Sequence, residues 1–133
     1  MIERLALDTS SVVDFMREDR RSPPPQIEAA KTVVIPLPVI GELFHGASCS
    51  ARPDESRAVV ESIIQDWQPL IPDVQTARIY GDIRAAVFRT TGNLGASKMN
   101  DLWIAALCIR HDFSLLTNDR AFDRVPGLTV IHW

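Results

Sequence analysis

The sequence predicts one α/β domain of 133 residues, a parallel sheet covered by helices on both faces. Three observations predict it. Short apolar runs such as "LAL", "TVVIP" and "FSLLT" alternate with longer segments of helical spacing. Such unbroken apolar runs are what strands buried on both faces require. Finally, no internal repeat or low-complexity tract divides residues 1–133, and neither half would close a core alone.

The elements follow in order. "LAL" (Leu5 to Leu7) reads as a buried strand stopped by Asp8, and "SVVDFMRED" continues as a short helix. "RRSPPPQ" breaks the chain, and Ser22 with the prolines starts a second short helix, roughly Pro25 to Lys31. "TVVIP" is a strand closed by Pro36, and Pro38 suits the first turn of a helix over "VIGELFHGAS". "RPDESRAVVESIIQDW" is a helix starting near Pro53 or Asp54, followed by the extended "QPLIPD". In "VQTARIYGDIRAAVFRTTG", Ala77, Tyr80, Ile83, Val87 and Phe88 recur near helical spacing. "NLGASK" reads as a loop, "MNDLWIAALCIRHD" as an apolar helix, and "FSLLT" as a strand. "NDRAFD" is a turn with a helical stub, and "VPGLTVIHW" supplies a last strand.

Composition narrows the function classes. The net charge of −3 excludes a globally basic nucleic-acid surface, although twelve arginines against two lysines favour bidentate contacts wherever positive charge is used. No apolar run approaches the roughly 18 residues of a membrane span. "MIERLALDTSS" does not read as a signal peptide, so a cytosolic protein without a membrane partner is expected. Cys49 and Cys108 lie far apart without a CxxC or Cys/His pairing and read as reduced thiols.

Four acids fall at informative places. In open parallel sheets ligands bind beyond the carboxyl ends of strands. Asp8 follows strand "LAL", and Asp119 follows "SLLT" two residues after Thr117. Asp101 stands at the expected start of a helix. Glu42 lies inside a core helix among Ile40, Leu43 and Phe44; the nearest basic residues, His45 and Arg52, are neither of them an i,i+4 mate for it. Each acid has an ordinary alternative: Asp8 as a helix cap, Asp101 as a first-turn acid, Asp119 as a turn residue, Glu42 at a solvent-facing edge. If they converge, their mutual repulsion raises their pKa values, and a hard divalent cation relieves it. His45, His111 and His132 are scattered, so zinc is not indicated.

"LALDTSSVVDF", "PLPVIGELFHGA", "NDLWIAALCIRHDFSLLTND" and "RAFDRVPGLTVI", in this order, resemble a PIN domain. They are similar to the VapC-type toxin ribonucleases of bacterial toxin–antitoxin pairs. The resemblance implies a three-layer α/β/α sandwich on a sheet of about five parallel strands. It implies an endoribonuclease dependent on Mg²⁺ or Mn²⁺, often dimeric, inhibited by a small antitoxin whose C-terminal segment occupies the site. Carried over by position, Asp8, Glu42, Asp101 and Asp119 are the first to fourth acids of the metal site.

Around them, Thr9 and Ser10 would orient a carboxylate or a metal-bound water, with helix capping by Ser10 as the alternative. Thr117 and Asn118 would do the same around Asp119 or simply form the turn. Asn100 is expected to cap its helix, Asp123 to pair with Arg120 or Arg124, and Trp103 to pack. Lys98, Arg84 and Arg89 are candidates for RNA phosphates. Two other functions stay open: a PIN-fold binding module acting only through its partner, and phosphotransfer through an aspartyl phosphate at Asp8. The second is disfavoured because "DTSS" carries no further acid.

Overall fold

The computed structural model describes residues 3–16, 25–91 and 96–133, with side chains to residue 90 in the second segment and from residue 99 in the third. Its strands are β1 (Arg4–Leu7), β2 (Thr32–Pro36), β3 (Gln68–Leu70), β4 (Ser114–Leu116) and β5 (Val130–Ile131). Its α-helices are α1 (Thr9–Met16), α2 (Pro25–Ala29), α3 (Leu37–Ser48), α4 (Pro53–Asp66), α5 (Val74–Thr91) and α6 (Ala96–His111). A 3₁₀ helix spans Arg120–Arg124.

The strands lie in the order β3-β2-β1-β4-β5, and every pairing is parallel. The chain leaves β1 toward β2 on one side and returns to pair β4 on the other. The carboxyl ends of β1 and β4 therefore flank the point where strand order reverses, the crevice such sheets offer to ligands. Asp8 follows β1 and Thr117 follows β4 at that point. Asp8 N–H donates to the Leu116 carbonyl at 3.1 Å, which locks the two strand ends together.

The core forms where the apolar runs meet. Leu5, Ala6, Leu7, Ile35, Leu115 and Leu116 are fully inaccessible, and Ile104 and Cys108 of α6 pack against them. Removing a methylene-rich side chain from such a position costs about 2–5 kcal/mol. A second cluster joins Ile83 and Val87 of α5 to Leu102, Ala105 and Ala106 of α6. At the end of α6, Phe113 N–H bonds back to the Cys108 carbonyl at 2.9 Å, and Asp112 takes the left-handed conformation (φ 59°). Arg4 caps the exposed carbonyls of His111 at 2.7 Å and Asp112 at 3.3 Å, turning the chain into β4.

Several boundaries differ from the sequence reading. α3 begins at Leu37 with Pro36 as its cap residue, and α2 ends at Ala29. α6 begins at Ala96, inside the stretch expected to be a loop, because alanine favours helix once past the glycine. Asn100 and Asp101 thus stand in its second turn, and Asn100 is not a cap. On α5 the inward face carries Thr76, Ile83 and Val87, while Ala77 is exposed and Phe88 is 54% exposed. Cys108 is a buried core thiol; Cys49 is an exposed one, and both are free. Among the described residues no helix is long and apolar enough to cross a membrane. The extension of the α1 reading past Met16, the part of the "RRSPPPQ" break that precedes Pro25 (Ser22 included), and the side chain of Lys98 lie outside the described residues.

Candidate functional site

Asp8 is the residue on which the site is built. It is the cap position of α1: its carbonyl accepts from Ser11 N–H at 3.0 Å and Val12 N–H at 3.2 Å. The strand end holds its carboxyl group inside, with the residue only 6% exposed. Three donors reach that carboxyl. Thr117 Oγ1 donates to Oδ2 at 2.7 Å, Ser10 Oγ donates to Oδ2 at 3.3 Å, and the Thr9 backbone N–H adds a third bond. Burial nevertheless prevails and raises the Asp8 pKa above the ordinary 3.8, with the negative charge of Glu42 pushing the same way against these hydrogen bonds. Cys108 backs onto Asp8 from α6; burial, and then the Asp8 charge, push its thiol far upward, so it is an inert neighbour.

Glu42 reaches the same place from α3. The Thr9 hydroxyl donates to Glu42 Oε2, and Asn100 Nδ2 donates to Oε1 at 3.3 Å. The partner that its sequence position demanded is therefore a hydroxyl and an amide from two other elements, not a cation. Thr9 touches both carboxylates, through its N–H and its hydroxyl. None of the ion pairs among the described residues involves Asp8 or Glu42.

The remaining candidates divide. Asp101 is half-buried on α6, next to the Asn100 that grips Glu42. Asp119 follows Thr117, but its Oδ1 accepts from Ala121 N–H at 2.9 Å and caps the 3₁₀ helix, so its turn role is realised. Ser10 sits inside α1, and its hydroxyl joins the loops, accepting from Asn118 N–H at 3.5 Å while donating to Asp8. Asp123 does pair with Arg120, at 3.9 Å, and also meets His132 Nε2 at 2.8 Å. Trp103 packs as expected, stacked on Tyr80 at 4.1 Å between centroids. Arg84 bonds Tyr80 Oη at 3.1 Å and Arg89 bonds the Ala85 carbonyl at 3.2 Å; neither contacts the carboxylates in this structure.

At the site, two residues play parts that the sequence pattern does not show. Asn100 looked like a cap because it stood at the expected helix start. His132 looked isolated because Asp123 and Thr117 become its neighbours only when β5 closes the sheet.

The donor chemistry fits a hard divalent cation. Apart from the inert Cys108 thiol, the side chains converging here carry oxygen, Asn100 turning its amide nitrogen to Glu42, and the two carboxylates repel one another with no cationic side chain paired to them among the described residues. Among the described residues, no three His, Cys, Asp or Glu side chains gather tightly enough to enclose an ion. Two carboxylates with retained waters is, however, a usual arrangement for Mg²⁺. Beside the site a groove of about 390 Å³ opens between α1, α3 and α4, with Thr9, Val13, Met16, Glu42, Leu43 and Val60 among its walls.

A family model described as "PIN domain" matches residues 5–128, almost the whole of the chain. The chain belongs to the PIN domain family. The tRNA(fMet)-specific endonuclease VapC of Salmonella typhimurium is 34% identical to this PIN domain over 93 residues, 69% of this chain and 68% of the relative. Ribonuclease VapC2 of Haemophilus influenzae is 30% identical over 100 residues, covering 71% and 70%. Among solved structures, DNA-bound VapBC from Salmonella typhimurium matches with TM-score 0.83 and 28% identity over 99% of both chains. VapBC2 from Rickettsia felis, bound to a promoter DNA fragment, matches with TM-score 0.85 over 97% of this chain and 98% of that one. At 23% identity this last likeness bears on the fold alone. The five-strand parallel sheet is the fold these proteins share with this PIN domain.

Proposed function

We propose that this PIN domain is the VapC-type toxin of a toxin–antitoxin pair, an endoribonuclease that hydrolyses RNA phosphodiester bonds with Mg²⁺ or Mn²⁺. The names of its curated relatives, an endonuclease and a ribonuclease, support the activity. The observation that carries the site is the pair Asp8 and Glu42, drawn together by Thr9 at the strand-order switch point and joined to no cationic side chain among the described residues.

The chain's own residues do the following. Asp8 and Glu42 are the first carboxylates to hold the ion, with Asp101 and Asp119 on the flanking elements as the others. Thr117, Ser10 and the Thr9 N–H fix the Asp8 carboxylate in one orientation; Asn100 and the Thr9 hydroxyl fix Glu42. The bound ion would supply an activated water and offset charge on the leaving oxygen. Arg84, Arg89 and Lys98 belong to α5 and α6 and are the candidates for the RNA backbone. The likeness to VapBC structures supports an antitoxin partner, and the groove beside Glu42 offers its segment an apolar seat. The same reading includes a homodimer in the cytoplasm.

One observation favours the alternative of a binding module: no three-ligand cluster is preassembled among the described residues. Purified protein on structured RNA separates the two. The nuclease cleaves, EDTA stops it, and Asp8→Asn or Asp101→Asn removes it. Cleavage unchanged in both variants contradicts this site. Antitoxin binding without cleavage by wild type establishes the module.

A further inference from the structure

We propose that His132 is a positioning residue for the Asp8 site. It acts by holding Thr117, and Thr117 holds Asp8. This rests on the nuclease reading for its consequence in activity, but not for its geometry.

Thr117 is fully buried, and each of its polar groups is committed. Its N–H donates to the Ile131 carbonyl at 3.0 Å. Its carbonyl meets His132 Nδ1 at 2.8 Å. Its hydroxyl donates to Asp8 Oδ2 at 2.7 Å and accepts from Asp119 N–H at 3.0 Å. The hydroxyl proton therefore has one destination, the Asp8 carboxylate, because the other side of the oxygen is taken by Asp119.

β4 ends at Leu116, so Thr117 lies just beyond the regular ladder. Its backbone orientation there depends on what meets its two peptide groups. β5 supplies one contact by strand pairing through Ile131. The other comes from a side chain, His132, the residue just past the short β5. The ring is itself braced: its Nε2 meets Asp123 Oδ1 at 2.8 Å, and Asp123 also faces Arg120 at 3.9 Å. The imidazole side chain is only 18% exposed, against 46% for Asp123, so the ring is shielded while its brace reaches solvent.

The chain of contacts thus runs from the 3₁₀ helix through Asp123, His132 and Thr117 to Asp8. Losing His132 leaves the Thr117 carbonyl without its partner, and the Thr117–Asn118 peptide is then held only by the long contact of Asn118 N–H to the Ser10 hydroxyl at 3.5 Å. The hydroxyl then loses its aim at Asp8. Partners that orient a ligand in this way typically matter by about 10- to 100-fold in metal affinity or activity.

The test compares His132→Phe, which keeps a ring without hydrogen bonds, with His132→Gln, whose amide can still donate to the Thr117 carbonyl. In the full-length protein, Mn²⁺ affinity is measured by calorimetry, and kcat and KM by RNA cleavage. Circular dichroism confirms that both variants are folded. Phe at this position is expected to weaken Mn²⁺ binding and lower kcat by roughly tenfold, with KM within about twofold, and Gln to recover most of both. At one fixed pH in metal-free protein, the Asp8 carboxyl ¹³C chemical shift of the Phe variant is expected to differ from that of wild type, and that of the Gln variant to match it. Folded variants with wild-type Mn²⁺ affinity, kcat and Asp8 chemical shift would overturn the proposal. Equal losses in Phe and Gln would also overturn it, as a purely structural role. If wild type cleaves no RNA, the nuclease reading fails, while the Asp8 signal still reports on the clamp.

Discussion

Two aspartates do similar local work in this molecule and end in opposite electrostatic states. Asp8 and Asp73 both precede a helix, and both accept from hydroxyls and from backbone N–H groups. Asp73 takes Thr76 N–H and Oγ1, each at 2.8 Å, and a fork from Arg110 at 3.2 and 3.1 Å. These bonds, the Thr76 N–H first, hold its carboxyl far below the ordinary range. Asp8 has comparable donors but is buried, and its charged neighbour is Glu42 rather than an arginine, so its pKa rises. The difference teaches where to look for chemistry. A carboxylate satisfied by a cation at the surface is part of the scaffold. A buried carboxylate facing a second one retains an unmet demand for positive charge.

The largest expected contrast is in activity. Asp8→Asn should lower RNA cleavage by roughly a hundredfold or more, because several kcal/mol of charge stabilisation at about 1.4 kcal/mol per decade exceeds two decades. Asp73→Asn should leave turnover unchanged. Single-turnover cleavage of one RNA by both variants checks this, and equal losses would erase the distinction.

Next comes the effect of divalent ions on stability. A ligand present at a hundredfold excess over its Kd stabilises the folded state by about 2.7 kcal/mol. Saturating Mn²⁺ should therefore raise the melting temperature of wild type and of Asp73→Asn by several degrees. It should not raise that of Glu42→Gln by as much, as thermal melts with and without EDTA would show.

Without metal the order of stability reverses. Asp73→Ala should melt a few degrees lower, having lost a cap and an ion pair. Asp8→Asn should melt no lower than wild type, since it removes a buried charge and its repulsion with Glu42.

The smallest effect is the pH dependence, and it carries opposite signs. The folded-state pKa of Asp8 is raised, so its contribution is most favourable below 3.8 and is lost as pH climbs through the raised value. The folded-state pKa of Asp73 is depressed, so its contribution is present above 3.8 and disappears as pH falls through the lowered one. The stability gap between wild type and Asp73→Asn should close on acidification. Any advantage of Asp8→Asn over wild type should shrink as pH falls from 7 toward 4. Urea unfolding across pH reads both.

Much of this frame was legible from residue pattern alone. "TVVIP" is β2 to the residue, and Asp8 sits at a strand end because a buried apolar run stops there. Glu42 could be singled out because its helix offered no mate; which groups would satisfy it could not, since Thr9 and Asn100 lie 33 and 58 residues away. Glycine dominates a local reading, so the pattern starts α6 near Met99 and makes Asn100 its cap, whereas the helix begins at Ala96. Phe88 is exposed although the spacing points it inward, because five apolar residues cannot all fit one stripe at 3.6 residues per turn, and Ile83 and Val87 occupy it. The His132 clamp depends on a sheet edge closing across 15 residues and left no trace in spacing.

The central claim is that Asp8 and Glu42 are neighbours because a divalent cation belongs between them. Calorimetric titration of Mn²⁺ into wild type, Asp8→Asn and Asp73→Asn tests it most directly. Saturable binding in wild type and Asp73→Asn, absent in folded Asp8→Asn, is the predicted result. Equal binding in all three, or none in wild type, would contradict it.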